Sequence, residues 1–233
     1  MAQKLIRMIL AFWIVSAGAL HAQSNPVVVE LYTSQGCSSC PPADRLFSSL
    51  AGRDDVIPLS LHVDYWDYIG WEDTFADPAF TRRQKAYARA ANKRMVYTPQ
   101  MIIGGSDHIV GHEPAELSAT LAAHSRQAPA VSLNVAESNG RVRIEAGPAP
   151  QGTGNMVVQL VRYVPEQTVS IRRGENAGRD IRYTNIVTSW QVLREWNGRN
   201  ALSLSAPVSG NAPAVVIIQR AGHGPILAAA RVR

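Results

Sequence analysis

The sequence predicts an α/β domain followed by an all-β, sandwich-like domain. Strand-like and helix-like runs alternate over residues 26–127, and only short strand-like runs and turns follow over residues 130–233. The two cysteines of the 233-residue chain, Cys37 and Cys40, stand together just after the first apolar run. A pair this close cannot staple distant parts of a fold, but it has the spacing for disulfide exchange.

The chain opens with Lys4 and Arg7, an apolar stretch over residues 8–20 and small residues up to Ala22. This pattern reads as a secretory signal peptide over residues 1–22, cleaved after Ala22. The stretch is short of the roughly 20 apolar residues that a spanning helix needs. An uncleaved anchor is the alternative, and no later segment is apolar and long enough to be an integral membrane span. The expected location is therefore periplasmic or secreted.

Residues 27–32 form a β-branched run, and Ala43, Leu46, Phe47 and Leu50 recur at helical spacing. Residues 56–63 are again strand-like and residues 78–92 helical. Two apolar triplets, 101–103 and 108–110, flank Gly104-Gly105, a hairpin signal. Pro114 opens a helix that runs to His124. Beyond it, Val131, Leu133 and Val135 alternate, Asn139-Gly140 turns the chain, and Val142 and Ile144 alternate again. Further strands are expected at 156–164, 168–171, 186–193, 201–205, 215–219 and 226–232. So many short strands in about 100 residues argue for a sandwich.

The formal net charge is +5, and residues 81–94 carry six basic side chains and no acid. This stretch is either a solvated helix face or a dock for an acidic partner or anionic membrane surface. Nucleic acid is not expected as a partner of an exported chain. A small disulfide-held scaffold is excluded too, since it would carry more cysteines at wider spacing.

If the helix containing Leu46 and Leu50 begins near Cys37, that sulfur lies at the positive helix end, where a thiolate is favoured. A thiol so placed falls from about 8.5 to roughly 3.5–7.5 and attacks at neutral pH. Cys40, one turn on, would resolve the mixed disulfide. The same spacing supplies half of many zinc sites, but the other half is missing from this sequence. Tyr97-Thr98-Pro99-Gln100 places a proline just before the apolar triplet 101–103. A cis bond there would be a built feature.

These features resemble the thioredoxin superfamily over residues 27–124, which implies a thioredoxin-like α/β first domain. By that resemblance Cys37 is the nucleophile, Cys40 the resolving thiol, and Thr98 and Pro99 the loop that faces the substrate. The strings Glu30-Leu31-Tyr32-Thr33-Ser34-Gln35-Gly36-Cys37, His62-Val63-Asp64-Tyr65-Trp66-Asp67 and Gly174-Glu175-Asn176-Ala177-Gly178-Arg179 are similar to a narrower secreted family. It is catalogued as domain of unknown function 1223, and it brings no established activity. Gly36 stands where the best-known thioredoxins carry tryptophan, and Ser38-Ser39 lies between the cysteines. Hydroxyls there could donate to a thiolate and stabilise the reduced form.

Glu30 interrupts an apolar strand and is a candidate for proton transfer to and from Cys40, or else faces water at a strand end. His62, Asp64, Tyr65, Trp66 and Trp71 form either core packing or an aromatic cover for the cysteines. His108, His112 and His124 read as surface or turn histidines. The loop over residues 174–179, beside Arg172 and Arg173, binds a carboxylate, clamps the other domain, or simply turns between domains.

The function expected is thiol-disulfide oxidoreduction, with protein thiols or disulfides and a redox partner protein as partners and no cofactor. The alternative is a non-catalytic module that binds a soft metal such as Cu(I) through Cys37 and Cys40, with a histidine as third ligand.

Overall fold

The computed structural model describes residues 26–208 and 210–232, so the expected signal segment, 1–22, lies outside the described residues. The order of elements is β1 (Val27–Thr33), α1 (Pro41–Ser48), β2 (Val56–His62), α2 (Pro78–Ala90), β3 (Gln100–Ile103), β4 (Asp107–Val110) and α3 (Pro114–Ser125). Then come β5 (Leu133–Ser138), β6 (Arg141–Ala146), β7 (Met156–Ile171), β8 (Arg179–Trp196), β9 (Leu202–Pro207), β10 (Ala214–Arg220) and β11 (Ile226–Arg231).

The strands on both sides of residues 127–130 belong to one mixed sheet of eight strands, ordered β11-β10-β7-β8-β2-β1-β3-β4. This overturns the expectation of a thioredoxin-like α/β domain followed by a separate β-sandwich. The fold is mostly β, and only β5, β6 and β9 form a second, three-stranded sheet. Two physical facts account for the difference. Strand β2 is buried along its whole length, so its outer edge needs a partner, and β8 supplies one with the register Ser60 to Ile186. Strand β10 is apolar in every position from Ala214 to Ile218, because both its faces are covered. Its Val216 and Ile218 pack toward the three-stranded sheet, while Val215 and Ile217 join the core formed with β1 and β2.

The strands expected at 156–164 and 168–171 are one strand, β7, and β8 begins seven residues before the expected 186. These two make a long antiparallel hairpin from Met156 paired with Trp196 to Ile171 paired with Arg179. Its far end projects toward the Cys37 turn.

Along β1 the side chains alternate between two cores. Val29 and Leu31 pack with Ala43 and Phe47 of α1 and Leu117 and Leu121 of α3, whereas Val28 and Tyr32 pack with Phe80 and Tyr87 of α2. The sheet curls so that its β11 end returns to the turn after β3 and to the segment that leads into β2. Ile226 N–H donates to the Gly104 carbonyl at 2.8 Å, and the Arg231 guanidinium donates to the carbonyls of Arg53 at 2.9 Å and Val56.

Helix α2 begins after Asp77, whose carboxylate accepts from Ala79 N–H at 2.7 Å. It presents Phe80, Arg83, Gln84 and Tyr87 inward. The basic stretch thus divides: Arg82, Lys85, Arg89, Lys93 and Arg94 are exposed, and Arg83 is buried. Arg83 donates to both oxygens of Glu30, at 2.7 and 2.9 Å, and also to Tyr87 and, at 3.1 Å, to Gln219 of β10. Tyr32 and Tyr87 donate to Glu30 at 2.9 and 2.6 Å. The Trp190 ring of β8 lies 3.7 Å from the guanidinium, completing its cover.

Breaking a buried pair by removing one partner costs about 3–5 kcal/mol. Arg83→Met is therefore expected to lower the unfolding free energy by about that amount in urea titration, with Lys85→Met, on the exposed side, shifting it by less than about 0.5 kcal/mol.

Candidate functional site

Strand β1 ends at Thr33, and Ser34 to Ser39 form the turn that leads to α1. Cys37 and Cys40 are joined in a disulfide, with Cα atoms 5.4 Å apart. Cys37 N–H donates to the Ser34 carbonyl and Cys40 N–H to the Cys37 carbonyl, both at 3.2 Å. The helix starts at Pro41 rather than near Cys37, with Cys40 at its N-cap. Pro41 and Pro42 have no N–H and are accommodated in a first turn, where that donor has no intrahelical use. Cys40 is therefore the cysteine at the helix end, and Cys37 lies outside it.

What reaches the Cys37 sulfur is a pair of hydroxyls. Thr98 Oγ1 donates to Cys37 Sγ at 3.2 Å, and Ser39 Oγ lies 3.4 Å from the same sulfur. Trp66 Nε1–H donates to Thr98 Oγ1 at 2.7 Å, which leaves the Thr98 proton free to point at sulfur. No such donor reaches the Cys40 sulfur among the described residues. The Thr98-Pro99 peptide bond is cis. Gly111 lets this loop approach α1, for a Cβ there would lie 2.9 Å from Pro99 Cβ and 3.2 Å from Ala43 Cβ. Gly36 plays the same part for Trp66, whose carbonyl oxygen would be 3.2 Å from an added Cβ.

Both sulfurs are covered, Cys37 being 1% exposed and Cys40 0%, while Ser38 and Ser39 between them are exposed. The aromatic stretch after β2 provides part of this cover. Trp66 holds Thr98, and Trp71 Nε1–H donates to Gln35 Oε1 at 2.8 Å. Tyr65 donates to Gln84, whose amide in turn donates to the Tyr97 carbonyl at 2.8 Å and fixes the Thr98-Pro99 segment from below. Asp64 accepts from Thr81 and belongs to the join between β2 and α2.

The loop over residues 174–179 is a clamp. Asn176, 1% exposed, donates through Nδ2 to the carbonyls of Gln35 and Cys37, each at 2.9 Å. Its neighbours Arg172, Arg173, Glu175 and Arg179 are exposed.

Glu30 lies apart from this arrangement. Its carboxylate sits on the α2 side of β1, with both oxygens taken by Arg83 and the two tyrosines, whereas Thr33 faces α1. His108 lies within 3.4 Å of Gln100, His112 is exposed beside Glu113, and His124 pairs with Asp107 at 2.7 Å. Among the described residues no group of three or more His, Cys, Asp or Glu side chains is arranged to hold a metal ion, so no third ligand joins the two sulfurs. Among them, too, no helix is long and apolar enough to cross a membrane.

Three residues of this region, Asp44, Asp73 and Tyr183, are not singled out in the sequence, and His62 belongs to the cluster read there as core packing or aromatic cover. Asp44 of α1 is buried and accepts from Thr33 Oγ1 at 2.9 Å. His62, at the end of β2, is fully buried and pairs through Nδ1 with Asp73 Oδ2 at 2.7 Å. Asp73 also accepts from Gln35 N–H at 2.7 Å, which ties it to the cysteine turn. Tyr183 of β8 packs on His62 with ring centroids 4.8 Å apart. One signal was available: Asp44 lies between Ala43 and Phe47 on the apolar side of its helix, where a carboxylate needs a reason.

Among curated proteins nothing matches the chain. A crystal structure of a protein from Agrobacterium tumefaciens, solved in a structural genomics programme, is similar to it at 33% identity and a TM-score of 0.77, covering 90% of this chain and 95% of that one. The family described as "Protein of unknown function (DUF1223)" matches residues 28–219, and to that family this chain belongs.

Proposed function

We propose that the protein is an exported thiol-disulfide exchange protein that acts on thiols or disulfides of other proteins, with Cys37 as the exchanging sulfur and Cys40 as the resolving one. The observation that carries this reading is the asymmetry at the disulfide. Thr98 donates to Cys37, the Ser39 hydroxyl lies 3.4 Å from the same sulfur, and no hydroxyl of the described residues donates to Cys40. Hydrogen bonds that favour a charged form lower a thiol's pKa, and the sulfur with the lower pKa is the better leaving group in a mixed disulfide. A disulfide that served only to brace the turn would gain nothing from them.

The likeness to the thioredoxin superfamily supports the chemistry and not the architecture. The contact of Thr98 with Cys37 supports the reading of Thr98 and Pro99 as a substrate-facing loop like that superfamily's. The reading as an exported protein, periplasmic or secreted, rests on the signal-like start of the sequence, and such a compartment permits the disulfide state. The reaction needs no cofactor. A partner thiolate attacks Cys37 Sγ, the Cys37–Cys40 bond breaks, and the electron pair leaves on Cys40 Sγ. A second partner thiolate then attacks the partner sulfur of the mixed disulfide and releases Cys37 as thiolate. The partner is oxidised to a disulfide and the protein reduced by two electrons; the reverse sequence oxidises a dithiol protein and reduces a partner disulfide.

Purified mature protein is expected to exchange with a test protein disulfide. Cys37→Ala abolishes this, and Cys40→Ala accumulates a mixed disulfide through Cys37 that non-reducing electrophoresis and mass spectrometry detect. A wild-type protein that neither reduces nor forms a disulfide in any partner contradicts the reading. Thr98→Val removes the donor to Cys37 and is expected to slow attack at pH 7 about ten-fold, since a hydrogen bond to a charged group is worth about 1.5–3 kcal/mol and the loss raises the thiol pKa. Stopped-flow exchange kinetics measure it, and an unchanged rate removes Thr98 from the site.

A further inference from the structure

A groove of about 440 Å³ runs between α2 and the β7–β8 hairpin, and no residue of the cysteine turn lines it. Its volume is that of a small-molecule site. Phe80 and Ala86 line it from the helix, and Val157, Trp190 and Val192 from the sheet. Val192 is exposed although it is a β-branched residue within β8. The polar atoms of the floor are spent on one another. Trp190 Nε1–H donates to Gln159 Oε1 at 2.7 Å, Gln159 Nε2 to Gln219 Oε1 at 3.2 Å, and Gln219 Nε2 to the Tyr87 hydroxyl at 2.7 Å. A ligand lying on this floor therefore gains by covering apolar surface.

The charged residues that line the groove are all arginines: Arg82, Arg83 and Arg89. Arg82 and Arg89 are exposed and seven residues apart, which puts them on one face of α2 about 10 Å apart along its axis. Arg83 is nine-tenths buried. Its bonds to Glu30, Tyr87 and Gln219 all leave from Nε and Nη2, so Nη1 is the part of the guanidinium left to meet a ligand. His223, which also lines the groove, reports the same positive surroundings. Burial, joined by the charges of Arg83 and Arg89 against that of Glu30, holds its imidazole below the ordinary range. Glu195, paired with Val157 across the hairpin, is exposed and is no part of the lining.

We propose that this groove binds a small carboxylate with an apolar body, a medium-chain alkyl or aryl acid. Its carboxylate accepts from Arg83 Nη1 and from Arg82 or Arg89, and its body lies on Trp190 and Val192. Guanidinium forks suit a carboxylate, and such charge-assisted bonds are the strong ones. An anionic membrane is flat: it would meet Arg82 and Arg89 and leave the slot between helix and sheet empty. The groove is separate from the cysteine turn, so the inference goes beyond the exchange reading and stands or falls without it.

Calorimetric titration of the mature protein with decanoate at pH 7 tests the proposal. One decanoate is expected to bind per chain with a Kd below about 100 µM, which lies within the efficiency range of small ligands. Decanol, which lacks the charge, is expected to bind at least about ten-fold more weakly. The double variant Arg82→Gln/Arg89→Gln is expected to weaken decanoate about ten- to a hundred-fold, and Val192→Asp to weaken it as well, while Lys85→Gln, outside the groove, leaves it unchanged. Absence of saturable decanoate binding, equal binding of decanol, or undiminished binding by the double variant overturns the proposal. So does binding of an acidic leucine-containing peptide or of phosphatidylglycerol vesicles that decanoate does not compete away, since the groove then serves a macromolecule. Should the variants fail to fold, the imidazole resonances of His223 in the wild-type protein decide. Decanoate is expected to shift them, and unmoved resonances at saturation overturn the assignment to this groove.

Discussion

Arg83 holds the sheet closed from inside. A strand from each half of the chain offers it an oxygen, Glu30 of β1 a carboxylate and Gln219 of β10 an amide. Tyr87, Tyr32 and Trp190 fill the remaining directions around the pair. A guanidinium with five donors in one plane can serve acceptors that are far apart in sequence, which a lysine cannot do. Once Glu30 and Gln219 are fastened to the same group on α2, the sheet is committed to curl around that helix. The strands after residue 130 cannot then form an independent body. The apolar core between α2 and the sheet shows the same commitment, since Ile57 and Leu59 share it with Val215 and Ile217.

That closure explains why the cysteine turn is assembled from residues 140 positions apart. The hairpin of β7 and β8 extends from the far half of the sheet until Asn176 meets the carbonyls of Gln35 and Cys37, across sequence separations of 141 and 139. Thr98 comes in from the segment just before β3, which lies three strands from β8 in the sheet, and Trp66 from the segment after β2. Each supplies a hydrogen bond that a free loop would have to find in water. Preorganised donors cost no reorganisation when charge appears on sulfur.

Much of the local structure was legible. The strand at Val27–Thr33, the helices at Pro78–Ala90 and Pro114–Ser125, and the turn at Asn139-Gly140 follow from periodicity and from residues that tolerate positive φ. The two cysteines and Thr98, found by motif, do lie side by side. What failed was everything set by non-local pairing. Nothing in the short-range pattern of Ile186 says that it will lie beside Ser60, and one register contact there joins what looked like two domains. The helix start moved from Cys37 to Pro41 because two prolines decide it. Glu30 drew attention as a carboxylate in an apolar strand, yet side-chain alternation puts it on the face away from α1. Asp44, buried on the α1 side, is the carboxylate that Thr33 meets. The available clue for Arg83 was its spacing from Phe80 and Tyr87, which puts it on the inward face of an otherwise solvated basic helix.

The unequal treatment of the two sulfurs is the central claim, and thiol titration of the reduced protein tests it most directly. Alkylation by iodoacetamide across pH, read site by site in the mass spectrometer, separates the two cysteines. The account predicts that Cys37 reacts first, with a midpoint below the ordinary thiol value of about 8.5, while Cys40 stays protected. Modification of Cys40 first, or a Cys37 midpoint at or above that value, would contradict it.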